Sequence, residues 1–215
     1  MKQFDMKTWE RRELAEYFRG FMTSRYDVGA LVDAARLYQF ARDTGRSFYL
    51  CTLYCLMRAT NAVPEFRQRI VGDQVVEFDS VGALAAIMNK GDNIFREMQV
   101  PFAPTLAEWH AQAAAIRDET LSSGRVGMAL TDTDREFLPF ATYSCAPWVH
   151  FSAMAGAVRA PHQTQPVFVW GKTKQSGAAL LLPLSMQLSH ILVDGVHCGR
   201  FFAALEEGLA APDSL

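Results

Sequence analysis

The side chain best suited to move a proton near neutral pH is His190, which ends the run LLLPLSMQLSH and precedes Ile-Leu-Val-Asp194-Gly195. The imidazole stands where a strongly apolar strand stops, a place from which it can take a proton from a hydroxyl or thiol. Asp194-Gly195 forces a turn, because Gly195 accepts backbone geometry that a β-carbon resists. A lone histidine at a strand end is usually a hydrogen-bonded structural residue. The H-x-x-x-D-G spacing, after a buried strand and before a helix containing G-R-F, favours general-base catalysis instead. His190, Asp194 and His197 could suggest a metal, but a lone cluster of this spacing is a weak signal, and no metal is expected. Cys51 and Cys55, spaced i, i+4 in FYLCTLYCLM, read as buried free thiols; with Cys145 and Cys198 they complete a set that a chain of this size does not need as staples.

The elements that must position His190 follow from pattern. A first helix is predicted from Thr8, its N-cap, to about Phe18, and a short strand over Phe21 to Tyr26. Asp27 is expected to cap a second helix, Gly29 to Thr44, stopped by Gly45. A third helix runs from Ser47 to Ala62, apolar on nearly all sides and therefore buried, with Pro64 ending it. Residues 66–98 break into short strands, QVVEF and IFREM among them, with turns at Gly72-Asp73 and Gly91-Asp92-Asn93. Thr105 to Leu121 is amphipathic, with Leu106, Trp109, Ala113 and Ile116 on one stripe. Strands are expected at Phe137 to Ser144, Val149 to Met154, Pro166 to Thr173 and Ala178 to Leu188, the last two joined by a hairpin connection at Lys174–Gly177. Val196 to Leu209 closes the chain as a helix. This order describes α+β or mixed α/β with a large sheet, not a regular βαβ repeat. Neither G-x-G-x-x-G nor a Walker A sequence is present, so a Gly-rich phosphate loop is not expected.

Bulk properties narrow the class. The chain has 215 residues, half of them hydrophobic and a fifth charged, which is enough for one cored domain spanning 1–215. A net charge of −2 with no Lys/Arg block argues against a duplex-coating nucleic-acid binder. The opening MKQFDMKTWERREL has no apolar core of a secretory signal, and no run reaches the roughly 20 apolar residues that span a bilayer. No membrane association and a cytoplasmic location are expected.

Three acyltransferase groups share H-x-x-x-D-G: chloramphenicol acetyltransferases, dihydrolipoamide acyltransferase catalytic domains and peptide-synthetase condensation domains. The chain is about half the length of a condensation domain, and no lipoyl or subunit-binding domain precedes the motif. Ser144-Cys-Ala-Pro-Trp148-Val-His-Phe151 resembles the S-x-x-P-W-x-x-F signature of the chloramphenicol acetyltransferases. FDMKTWERRE resembles that family's F-D-x-x-x-W-x-R-R-E opening, and VVEFDSV followed by Ile-Phe is a weaker match. Order and spacing hold from residue 4 to the final helix, so the resemblance covers essentially the whole chain.

The resemblance implies a two-layer α/β sandwich, the CoA-dependent acyltransferase fold, with a mixed sheet packed with helices. It also implies a homotrimer with inter-subunit active sites, acetyl-CoA as co-substrate and a small alcohol acceptor such as chloramphenicol. His190 becomes the general base, at the mouth of a pocket, in a direct transfer without an acyl-enzyme. Ser144 becomes the donor to the tetrahedral oxyanion. Asp194 is expected to face away from the imidazole and pair with Arg11, supporting the site rather than forming a triad. Lys172, after PVFVW, is expected to meet CoA phosphate, and Lys174 less so. Trp148 reads as a packing residue, and His197 and Arg200 receive no chemical role.

Departures gather around the acceptor. Phe18 stands at a Tyr or aromatic position, Val169 where a Thr is common, Thr142 where Asn is frequent, and Asp92-Asn93-Ile94-Phe95 replaces T-E-T-F. The leading reading is acetylation of the 3-hydroxyl of chloramphenicol. The alternatives are another alcohol acceptor for the same chemistry, or a non-catalytic protein that binds a hydrophobic ligand.

Overall fold

A computed structural model describes residues 1–123, 139–157 and 160–215. Its main sheet has the order β2-β10-β8-β7-β5-β6, built from β2 (Arg25–Asp33), β5 (Gly82–Ile87), β6 (Arg96–Val100), β7 (Phe140–Ala146), β8 (Val167–Gly171) and β10 (Ala179–Ser189). β9 (Lys174–Ser176) adds to the start of β10. The sheet is mixed: β5, β7 and β8 run parallel, and the other pairings are antiparallel. A small antiparallel sheet joins β1 (Lys2–Asp5), β4 (Gln74–Glu77) and β3 (Gln68–Val71).

Alternation along the strands sorts the two faces. Leu182, Leu184, Met186 and Leu188 of β10, with Tyr143 and Phe168, are buried in the core with the helices. Ser185, Gln187 and Ser189 take the other face, level with Val169, Val167, Ser144 and Thr142 in the neighbouring strands. The central helix is α3 (Phe48–Ala62), which packs against α2 (Ala35–Asp43), α4 (Leu106–Ser122) and α5 (Gly195–Ala210). Ten of its fifteen residues are buried, as an all-round apolar sequence requires. Ser47 caps it, its hydroxyl accepting from Leu50 N, and Val63-Pro64 ends it. Thr105 caps α4 in a Thr-x-x-Glu box with Glu108. Stacked rings of Phe66, Phe201, Phe168 and Tyr143, 4.9–5.3 Å apart in sequence along the stack, fix α5 to the sheet.

Several local expectations give way to long-range pairing. The strand expected at Phe21 to Tyr26 starts at Arg25 and continues to Asp33, so residues 29–33 are not helical and Asp27 caps nothing. Nine consecutive partners on β10 hold this strand, outweighing the helical spacing of Leu31 and Ala35. The first helix, α1, spans only Arg12–Arg19, and Thr8 instead donates to Asp5 O within a turn. Val149 to Met154 is irregular rather than a strand, tied to the sheet edge where Lys172 N–H donates to Val149 O. The strand expected from Phe137 begins at Phe140 among the described residues, and Phe137 itself lies outside them.

Candidate active site

His190 is the first residue after β10, its N–H donating to Ser24 O at 2.8 Å. The three residues after it, Ile191, Leu192 and Val193, are buried, so the loop to Asp194 is anchored by its apolar side chains. The ring lies against Phe18 of α1, stacked with centroids 4.1 Å apart, and against Tyr26 of β2 at 4.5 Å. Tyr26 in turn donates to Val193 O, closing the loop onto β2. With its plane set by two aromatic rings and 35% of its side chain exposed, the imidazole keeps an accessible edge.

Asp194 fixes the tautomer. Its carboxylate takes two bonds from Arg11, Nη1 to Oδ2 at 2.7 Å and Nη2 to Oδ1 at 2.9 Å. The Arg11 hydrogen bonds hold its carboxyl below the ordinary 3.8 against the opposing effect of burial, so it is an acceptor at neutral pH. Asp194 Oδ1 also lies 3.1 Å from His190 Nδ1. A carboxylate only accepts, so Nδ1 carries the hydrogen and the lone pair stands on Nε2. This corrects the expectation that Asp194 faces away from the imidazole: one carboxylate serves both partners. Arg11 also donates through Nε to Ile191 O at 3.2 Å, gripping the loop at a second point.

The other group of expected residues lies elsewhere on the sheet. A cavity of about 1170 Å³ is lined by Ser144, Lys172 and Phe95, with Tyr49, Trp170, Trp148, Cys145, Lys90 and Arg117 among its walls. Tyr49 packs on Trp170 and donates to Ala86 O, making one wall rigid. Burial pushes the Cys145 thiol up to about 12, which makes it a poor nucleophile. Trp148, read as a packing residue, is 68% exposed on the cavity rim. Thr142 and Val169 share the sheet face of Ser144 but do not line the cavity.

His190 does not line that cavity either. Ser144 is level with Val169, which is level with Ser185 of β10, five residues before His190. Five residues span about 17 Å, and two strand spacings add about 10 Å sideways. One alcohol meeting one thioester cannot touch both side chains within a single chain. The expected pocket mouth is thus divided between two ends of the sheet, because β10 runs opposite to β7 and carries its histidine past the start of β7, whereas Ser144 lies near the end of that strand.

Sequence reasoning missed Tyr26, Tyr49 and Arg117, none of which stands in a motif. It also assigned nothing to His197, whose Nδ1 accepts the N–H of Asp194 at 2.8 Å. The signal there was its position three residues after a helix-capping Asp.

Comparison with known proteins gives a consistent result. The family model for chloramphenicol acetyltransferase matches residues 1–206. Chloramphenicol acetyltransferase 3 of Escherichia coli is 25% identical over 206 residues, covering 95% of each chain. A chloramphenicol acetyltransferase of Proteus mirabilis is 26% identical, covering 94% of this chain and 92% of the relative. A solved chloramphenicol acetyltransferase superimposes with a TM-score of 0.84 at 26% identity, over 96% of this chain and 98% of that one. An Azotobacter vinelandii dihydrolipoamide acetyltransferase shares the fold, with a TM-score of 0.65 at 19% identity over 89% of this chain and 84% of its own.

Proposed function

The chain belongs to the chloramphenicol acetyltransferase family, and from that premise we propose that it is an acetyl-CoA-dependent O-acetyltransferase acting on the 3-hydroxyl of chloramphenicol. The observation that supports this most directly is the ring of His190, held between Phe18 and Tyr26 with Nδ1–H on Asp194 and the Nε2 lone pair available. Nε2 takes the hydroxyl proton of the acceptor, and the oxygen attacks the thioester carbonyl carbon. The tetrahedral oxyanion accepts from the Ser144 hydroxyl, which has no hydrogen-bond partner among the described residues. Collapse breaks the carbon–sulfur bond, and the CoA thiolate recovers the proton from His190. The large cavity beside Ser144 suits the pantetheine arm, with Lys172, Lys90 and Arg117 as cations for the phosphates.

The separation of His190 from Ser144 favours a homotrimer in which each site takes its histidine from one subunit and its serine from the next. Tyr17, which packs on the Phe18 ring stacked against His190, and Met22, 63% and 95% exposed, together with Trp148 at the cavity, are apolar surface such an arrangement would cover. The four cysteines are free, which fits a cytoplasmic enzyme. Val169, an apolar side chain on the Ser144 face, favours as the second reading an alcohol acceptor less polar than chloramphenicol.

Release of free thiol from acetyl-CoA tests the reading, with chloramphenicol and a panel of small alcohols as acceptors. Turnover with chloramphenicol that collapses in His190→Ala is expected. Turnover with other alcohols alone would move the acceptor, and turnover that survives His190→Ala would refute the mechanism.

A further inference from the structure

The apparatus around His190 continues behind Asp194. Asp194 is the N-cap residue of α5 and forms a reciprocal capping box with His197, while its carboxylate also receives Arg11 and His190. In the returning half of the box, its backbone N–H donates to Nδ1 of His197, three residues on, at 2.8 Å. Glu or Gln normally occupies that position in a capping box. A Glu there would bring a second carboxylate beside Asp194 and compete for Arg11, whereas a neutral imidazole accepts without adding charge. Nε2 of His197 faces Glu65 Oε1 at 3.5 Å, in the short helical turn Pro64–Arg67 that follows α3. The other oxygen, Glu65 Oε2, is buried with no hydrogen-bond partner among the described residues. His197 itself is buried.

We propose that His197 is a positioning residue for the transfer reaction: with Nδ1 unprotonated it holds the Asp194 backbone, and through Asp194 it sets the ring of His190. The device works in one protonation state only. A proton on Nδ1 would place a donor against the Asp194 N–H, and the bond that fixes the N-cap would be lost. The charged groups facing His197 are Glu65 from the turn after α3, Arg11 at the start of α1, and Asp194 and Arg200 on its own segment. Burial lowers the His197 pKa below the ordinary 6.5; Glu65 and Asp194 oppose that, and Arg11 and Arg200 add to it. A depressed value places the stabilisation above about pH 6.5, with loss as the pH falls below it.

The inference rests on the acetyl-transfer reading, so one measurement is independent of turnover. Nitrogen-15 spectra of the full-length protein at pH 7.5 should show His197 with Nδ1 unprotonated and Nε2 protonated. Thiol release is then followed from pH 5 to 8 in the parent, His197→Leu and His197→Gln. Leu should lower kcat about tenfold with little change in KM for acetyl-CoA, since the cavity lies elsewhere. Gln supplies an untitratable acceptor and should restore most of kcat, while removing one proton from the acid limb of the profile. A protonated Nδ1 on His197 at pH 7.5 overturns the proposal. So does a Gln variant as slow as Leu at equal folded fraction, or an acid limb identical in parent and Gln. If no acceptor supports turnover, the acetyl-transfer reading fails, and the spectra still decide the tautomer.

Discussion

Replacing Asp194 with Asn changes one atom type at the point where three elements meet. The carboxylate receives Arg11 at 2.7 and 2.9 Å and His190 at 3.1 Å. The amide keeps one oxygen but sets an NH2 against the guanidinium in one orientation and against both guanidinium and imidazole in the other, leaving a donor facing a donor. Arg11, with 14% of its side chain exposed, would keep the amide oxygen and Ile191 O but lose one of its two Asp194 bonds and its charge partner. Breaking a buried pair typically costs ~3–5 kcal/mol; with Asp194 30% exposed, water offsets part of this, and about 2–3 kcal/mol is expected. Urea unfolding at fixed protein concentration measures the loss directly. The parent's advantage should be steady near neutral pH. It should shrink as pH falls through and below 3.8, because a carboxyl with a lowered pKa stabilises only while ionised. Thiol release should fall about tenfold or more as the imidazole loses its orienting acceptor. A double-mutant cycle with Arg11→Met should give strongly non-additive costs. A variant within about 0.5 kcal/mol of the parent and with full kcat would refute the shared-carboxylate argument.

Other consequences can be checked with the same assays. Ser144→Ala should lower kcat by about 10²–10³ while the urea midpoint stays in place, since its hydroxyl supports no other group among the described residues. Gly171→Ala would put a methyl group 2.5 Å from Val149 O and 2.8 Å from the Phe151 ring, displacing the segment beside Lys172. A destabilisation of about 1–3 kcal/mol and a raised KM for acetyl-CoA are expected, read by unfolding and by steady-state kinetics. Phe168→Ala removes the middle of the ring stack and should cost about 3–5 kcal/mol in thermal or urea unfolding.

The sequence by itself determined those features that depend on neighbours along the chain. α3 followed from Ser47, an unbroken apolar run and Pro64; α4 from Thr105 and its stripe; and the stop at Gly45 from a residue that adopts φ +67°. The H-x-x-x-D-G and S-x-x-P-W segments named His190 and Ser144 because chemistry constrains residue type at fixed spacing. Tertiary structure decided what depends on partners far away in sequence. β2 became a strand because β10 supplied its hydrogen bonds, and Tyr26 thereby came to lie on the imidazole. Asp194 turned toward both Arg11 and His190 because α1 packs across a loop 180 residues later, a geometry no local spacing encodes. The distance between His190 and Ser144 belongs to strand register alone, which is set by pairing across the sheet.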